Sequence, residues 1–84
     1  MEISLLTGAN PKIVKKGPLC VLPGVGRWQI THNAKDSKLE FNYRDKAIEL
    51  NNDPLVVDGG SKCFIVIQSN GTESYVSVNA KLVK

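Results

Sequence analysis

Three side chains in this sequence carry groups on which nucleophilic or metal chemistry is commonly built: Cys20, Cys63 and His32, the sole histidine. A thiol–imidazole pair would use one cysteine as nucleophile, His32 as base and a carboxylate such as Asp36 to orient the ring. The spacing supports no such set. There is no C-x-x-C pair and no Cys/His spacing of a zinc site. The carboxylates Glu40, Asp45, Glu49, Asp53 and Asp58 form no pattern that separates an acid/base pair from solvated charges. Asn51, Asn52, Asp53 and Asp58 lack the spacing of a calcium loop.

Pro23-Gly24-Val25-Gly26 resembles part of a glycine-rich phosphate loop, but such a loop takes its anion affinity from a following helix N-terminus. Here Arg27-Trp28-Gln29-Ile30 follows, which reads as strand, so a Pro-Gly type II turn is the expectation. Asn70-Gly71-Thr72 matches a glycosylation acceptor, but without a secretory signal the match has no expected route to modification, and a turn accounts for Asn70. The opening MEISLLTGAN lacks the basic and apolar regions of a secretory signal, and no run approaches the roughly 18 apolar residues of a membrane span. A cytoplasmic location with reduced thiols is expected, no enzyme activity is indicated, and no cofactor, metal or small-molecule substrate is called for.

Binding is the remaining class. Net charge is +3, and its distribution says more than its sum. Residues 1–35 carry five positive charges and one negative; residues 36–84 carry six positive and seven negative. The basic segment holds Lys12, Lys15, Lys16 and Arg27 beside Trp28, which supplies the two ingredients of a single-strand nucleic-acid groove, phosphate contacts and a stacking face. Five aromatic residues are also needed to fill an interior, and burial of Trp28 is favoured over stacking.

The elements that would position these groups are all β. Leu39, Phe41 and Tyr43 alternate with Lys38, Glu40, Asn42 and Arg44, as a half-buried antiparallel strand should. A turn at residues 44–46 leads to a weaker strand over 47–50, Asn51-Asn52-Asp53-Pro54 is a loop, and residues 55–57 form the next strand. Asn70-Gly71 lies between two β-rich runs, which predicts a type I′ hairpin over 62–78 with Cys63 opposite Val78, Ile65 opposite Val76 and Val66 opposite Tyr75. Glycines and prolines break the first part into short extended pieces at residues 3–6, 13–15, 19–22 and 27–31, and residues 80–83 can add an edge strand. No helix of ordinary length fits.

With 84 residues and no compositional break, the chain forms one small all-β domain, an antiparallel sandwich or barrel of OB-like or SH3-like form. Residues 1–18 read as an irregular N-terminal arm on a core of residues 19–84. A domain of this size buries only about 60–65 % of its unfolded surface. Runs such as Cys63-Phe64-Ile65-Val66-Ile67 are apolar at successive positions, so both faces of a strand need cover. The leading expectation is a noncatalytic module that self-associates or docks onto a larger assembly, such as an accessory or decoration component of a phage-like particle. The alternative is a small nucleic-acid-binding barrel. The candidate contact residues are Lys12, Lys15, Lys16, Arg27, Trp28, Phe64, Val66 and Tyr75. The expected partner is a protein or a second copy, with nucleic acid as the alternative and no membrane.

Overall fold

The computed structural model describes residues 1–9, 15–68 and 75–83. The described residues form nine strands: β1 (Glu2–Ala9), β2 (Lys15–Lys16), β3 (Cys20–Leu22), β4 (Arg27–His32), β5 (Lys38–Tyr43), β6 (Lys46–Leu50), β7 (Leu55–Asp58), β8 (Ser61–Gln68) and β9 (Tyr75–Val83). All pairings are antiparallel and fall into two sheets. One has the order β1-β9-β4-β7; the other runs β2-β8-β5-β6, with β3 also paired to β8. No strand pairing joins the two sheets among the described residues. No helix among them is long and apolar enough to cross a membrane.

The core lies between the sheets and follows from period-two alternation. Leu39 and Phe41 on β5 are buried while Lys38 and Glu40 face solvent, as the sequence pattern requires. Cys63, Ile65 and Ile67 enter from β8, and Val76, Val78 and Ala80 meet them from β9 in the other sheet. Trp28, Phe41, Leu22 and Ile30 are the largest fully buried side chains. Each contributes roughly 1.5–3 kcal/mol through removal of apolar surface from water. The indole N–H of Trp28 donates to the Pro23 carbonyl at 2.9 Å, so its one polar group is satisfied inside.

The segment read as an arm is built into both sheets. β1 pairs along its length with β9, and its register slips by one residue between Ser4 and Leu6. That bulge turns the consecutive Leu5 and Leu6 both inward, where alternation alone would expose one of them. β2 and β3 continue along the same edge of β8, again one residue out of register with each other, and the intervening Gly17 N–H donates to the Ile65 carbonyl at 2.7 Å. A Cβ on Gly17 would stand 2.7 Å from a Leu6 methyl, so the small residue lets β1 close over this edge. Residues 80–83 are the second half of β9, which lies inside its sheet between β1 and β4.

The hairpin over residues 62–78 does not form. β8 and β9 lie in different sheets: Cys63 pairs with Cys20 and Tyr43, Ile65 with Phe41, and Val76 with Gly8. The Asn70-Gly71 turn and the Asn70-Gly71-Thr72 acceptor themselves lie outside the described residues. A turn preference is local and small, whereas each of these strands gains partners on both edges by separating. Separation also sends the apolar face of each strand into a shared core, where a hairpin would have laid both on one face of one sheet.

The turn after Pro23 also differs from expectation. Gly24 does not take the positive φ that a Pro-Gly type II turn needs. The loop is instead held against the β7–β8 connection. The Gly59 N–H donates to Gly26 and the Gly60 N–H to Leu22, at 2.9 and 2.6 Å. Gly59 has no room for a side chain, because a Cβ there would fall 2.1 Å from the Pro23 carbonyl oxygen. Gly60, at φ +88°, adopts a backbone conformation that favours glycine.

Candidate docking site

The outer face of the β8 sheet gathers more of the polar and charged groups than any single stretch of sequence suggests. Register places side chains in rows across it: Lys16, Val66, Glu40 and Glu49 in one, Phe64, Asn42 and Ala47 in the next, Val21 and Lys62 in the third. An open cleft of about 640 Å³ lies at the β5–β6 turn, lined by Leu19, Phe64 and Ala47 on its apolar side and by Arg44 and Lys62 on its cationic side; Lys46 also lines it, from the strand end where it pairs with Tyr43. Among the described residues, Asp45 is the one carboxylate in its wall. Leu19 is 61 % exposed, so the apolar side of the cleft is open to a partner.

The turn between β5 and β6 fixes the cationic wall. Tyr43 pairs with Lys46, leaving Arg44 and Asp45 as a two-residue loop with φ of +48° and +61°. Positive φ at both central positions is the type I′ geometry that Asn-Gly satisfies without strain. Arginine and aspartate enter it at a cost of order 1–2 kcal/mol each. Two hydrogen bonds offset this: Arg44 Nε donates to Ser61 Oγ at 2.6 Å and an Arg44 terminal nitrogen to the Gly59 carbonyl at 3.2 Å. The guanidinium is thereby docked at the mouth of the cleft.

Of the residues nominated from sequence, the structure brings together Lys16, Phe64 and Val66. Lys16 Nζ sits 4.3 Å from the centroid of the Phe64 ring, and Lys16 is the register partner of Val66. β2 also carries Lys15, paired with Ile67. Trp28 is a correction: it is wholly buried between the sheets and has no face to offer a base. Arg27 lies at the start of β4 in the other sheet, 4.0 Å from Asp58, in a pair too exposed to contribute much. Tyr75 is exposed on β9, also in the other sheet. Lys12 lies outside the described residues.

The cluster the sequence reading missed consists of Arg44, Lys46 and Lys62 together with the Glu40–Glu49 pair. Its signal was present in the β5–β6 hairpin: once Arg44 and Asp45 are taken as a two-residue loop, Glu40 falls opposite Glu49 and Ala47 opposite Asn42.

His32 and the cysteines are not gathered. Among the described residues no group of three metal-ligating side chains converges. His32 Nδ1 accepts the Ala34 N–H at 3.1 Å, which leaves Nε2 to donate to the Asn51 carbonyl at 2.6 Å, so the ring ties β4 to the loop after β6. Cys20 and Cys63 face each other across β3 and β8 as free thiols. Burial, with a smaller contribution from Cys20, pushes the Cys63 thiol up to about 11, which keeps it protonated and unreactive. Comparison with protein-family models, curated proteins and solved structures finds no match for the chain.

Proposed function

We propose that this protein is a noncatalytic docking module whose outer β8-sheet face receives an acidic side chain from an extended segment of a protein partner. The observation that carries the reading is the cleft itself, which sets Arg44 and Lys62 around an apolar floor of Leu19, Phe64 and Ala47. A carboxylate with a short apolar stem matches both parts, since its charge meets Arg44 and Lys62 while its stem covers Ala47 and Phe64. Small β-domains of the OB-like or SH3-like kind, which the size suggests, act chiefly as binding modules, in agreement with this reading. The partner can belong to a phage-like particle or to a smaller assembly.

Protein is favoured over nucleic acid by the state of the aromatic rings. The Phe64 ring is engaged by the Lys16 ammonium, Tyr43 packs on Phe41 with ring centroids 5.2 Å apart, and Trp28 is buried. On this face a base would have to displace the Lys16–Phe64 contact to stack, and the exposed Tyr75 ring lies in the other sheet. The test is calorimetric titration with an extended glutamate-containing peptide and, in parallel, with a single-stranded oligonucleotide of equal charge. The peptide should bind, and Lys62→Glu should weaken it by about tenfold, or ~1.4 kcal/mol. Tighter binding of the oligonucleotide, with affinity falling steeply in salt, would transfer the face to nucleic acid.

A further inference from the structure

Cys20 and Cys63 are the only cysteines of the chain, and the fold sets them directly opposite each other on β3 and β8. The bond from the Gly17 N–H to the Ile65 carbonyl shows which way β8 turns its backbone groups. They alternate along the strand, so those of Cys63 point to the same edge as those of Ile65, and Cys20–Cys63 is a hydrogen-bonded pair. The Cα atoms of such a pair lie about 5.5 Å apart, inside the range of about 4.4–6.8 Å that a disulfide spans. Its Cβ atoms stand about 1 Å wider than a relaxed disulfide takes. β3 can supply that movement, because it is three residues long, lies at the edge of its sheet and, among the described strands, pairs with β8 alone. A disulfide closed under such strain is easily reduced again.

The two thiols share the inner face of the sheet and differ in access. Cys63 is 1 % exposed, whereas Cys20 is half-buried and directs its thiol, a weak donor, to the Leu5 carbonyl of β1 at 3.6 Å. Their chain neighbours line the outer face. Leu19 precedes Cys20 and Phe64 follows Cys63, and both belong to the apolar side of the cleft. The pair of thiols therefore lies directly beneath the floor of the docking site.

We infer that Cys20 and Cys63 form a reversible disulfide site, closed by exchange with a small-molecule disulfide, and that closure draws Leu19 onto Phe64 and narrows the cleft, a consequence that rests on the docking reading above. Exposure sets the order of the two steps. The Cys20 thiolate attacks one sulfur of the solute disulfide; a new S–S bond forms, the solute's own S–S bond breaks, and the first thiolate leaves and takes up the proton that Cys20 gave up. Burial shields Cys63 from the solute but not from Cys20. Its sulfur attacks Cys20 Sγ, the bond from Cys20 to the solute breaks, and the second thiolate departs with the Cys63 proton. Two protein thiols are oxidised and one solute disulfide is reduced to two thiols, with no other oxidant required.

Incubation of the folded protein with oxidised glutathione, read by intact mass and by peptide mapping without reduction, tests the site. The expected product is a monomer that has lost two hydrogens, linked between Cys20 and Cys63, with both thiols recovered on addition of dithiothreitol. Cys63→Ala lacks the second thiol and should stop at a glutathione adduct on Cys20. Cys20→Ser should take up no glutathione, because Cys63 is out of the solute's reach. Unmodified thiols throughout, a link between two copies, or an adduct on Cys63 in Cys20→Ser would each overturn the site. The glutamate peptide should bind the oxidised protein about tenfold more weakly than the reduced one, and treatment with oxidised glutathione should leave its affinity for Cys20→Ser unchanged. Equal peptide affinity in the linked and reduced forms would overturn the control of the cleft. An intramolecular link in a protein that binds the peptide in neither form would discard the docking reading and leave the disulfide site in place.

Discussion

Two chain reversals invite comparison, the one between β5 and β6 and the one between β8 and β9. The first has Arg44-Asp45 at its centre, residues poorly suited to positive φ, and it is a tight two-residue hairpin. The second contains Asn70-Gly71, the strongest short hairpin signal, and its flanking strands are not paired with each other. Turn chemistry thus gives the wrong order in this chain. β5 and β6 stay together because Arg44 is anchored to Ser61 and Gly59, and because β5 has one edge left once β8 is in place. β8 and β9 part because each is a central strand, with β2, β3 and β5 around one and β1 and β4 around the other. Pairing with two neighbours outweighs a turn preference worth about a kcal/mol.

The largest contrast is expected from cross-linking in a Cys20→Ser background. Asn42→Cys with Ala47→Cys sits at a non-hydrogen-bonded pair of β5 and β6 and should oxidise to near completion. Val66→Cys with Tyr75→Cys, directly opposite in the hairpin register, should give no intramolecular disulfide. A bond in the second pair would reinstate the hairpin.

Next comes the anchor of the first turn. Gly59→Ala drives a methyl into the Pro23 carbonyl and the Trp28 indole nitrogen, and should destabilise the fold by roughly 3 kcal/mol or more in urea titration. A loss under about 1 kcal/mol would mean that the loop packing is slack.

The central position of β8 has a signature in pH. The Cys63 thiol has its folded value raised to about 11 from 9.0, so the folded state holds this proton more tightly than the unfolded chain. Its contribution is fully present below pH 9 and is lost as pH rises from 9 to 11, at most about 2–3 kcal/mol. Thermal melts across that window should fall more steeply for the native protein than for Cys63→Ala. Equal slopes would show that Cys63 is less enclosed.

The smallest effect sharpens the comparison most. Asp45→Gly relieves one strained position and should stabilise the protein by about 0.5–1 kcal/mol. Arg44→Gly removes strain and anchor together and should come out neutral or destabilising, by up to about 1 kcal/mol. A gain from Arg44→Gly equal to that from Asp45→Gly would show that the bonds to Ser61 and Gly59 contribute nothing.

Strand positions and facing were legible from residue order wherever alternation was clean. Leu39, Phe41 and Tyr43 point inward as read, and the strands over 27–31 and 55–57 stand within a residue of their expected ends. Leu5 and Leu6 were not legible as a buried pair, because only a bulge against β9 turns both inward. Lys16, Phe64 and Val66 were nominated as contact residues and do share a face, while Arg27 and Tyr75 went to the other sheet and Trp28 to the core.

Sequence alone therefore determined what depends on neighbours within a few residues: the all-β class, the two-residue period that separates inside from outside, and the breaks at glycine and proline. Tertiary structure decided which strand lies beside which, and so which charges meet. Among the nine described strands, only two of the eight successive pairs, β2 with β3 and β5 with β6, lie within one sheet. Pairing across the others is a competition among distant segments for edges and for a single core. No local pattern records its outcome, and the cleft with its Glu40–Glu49 neighbour exists only because β3, β5, β6 and β8 were brought together by that competition.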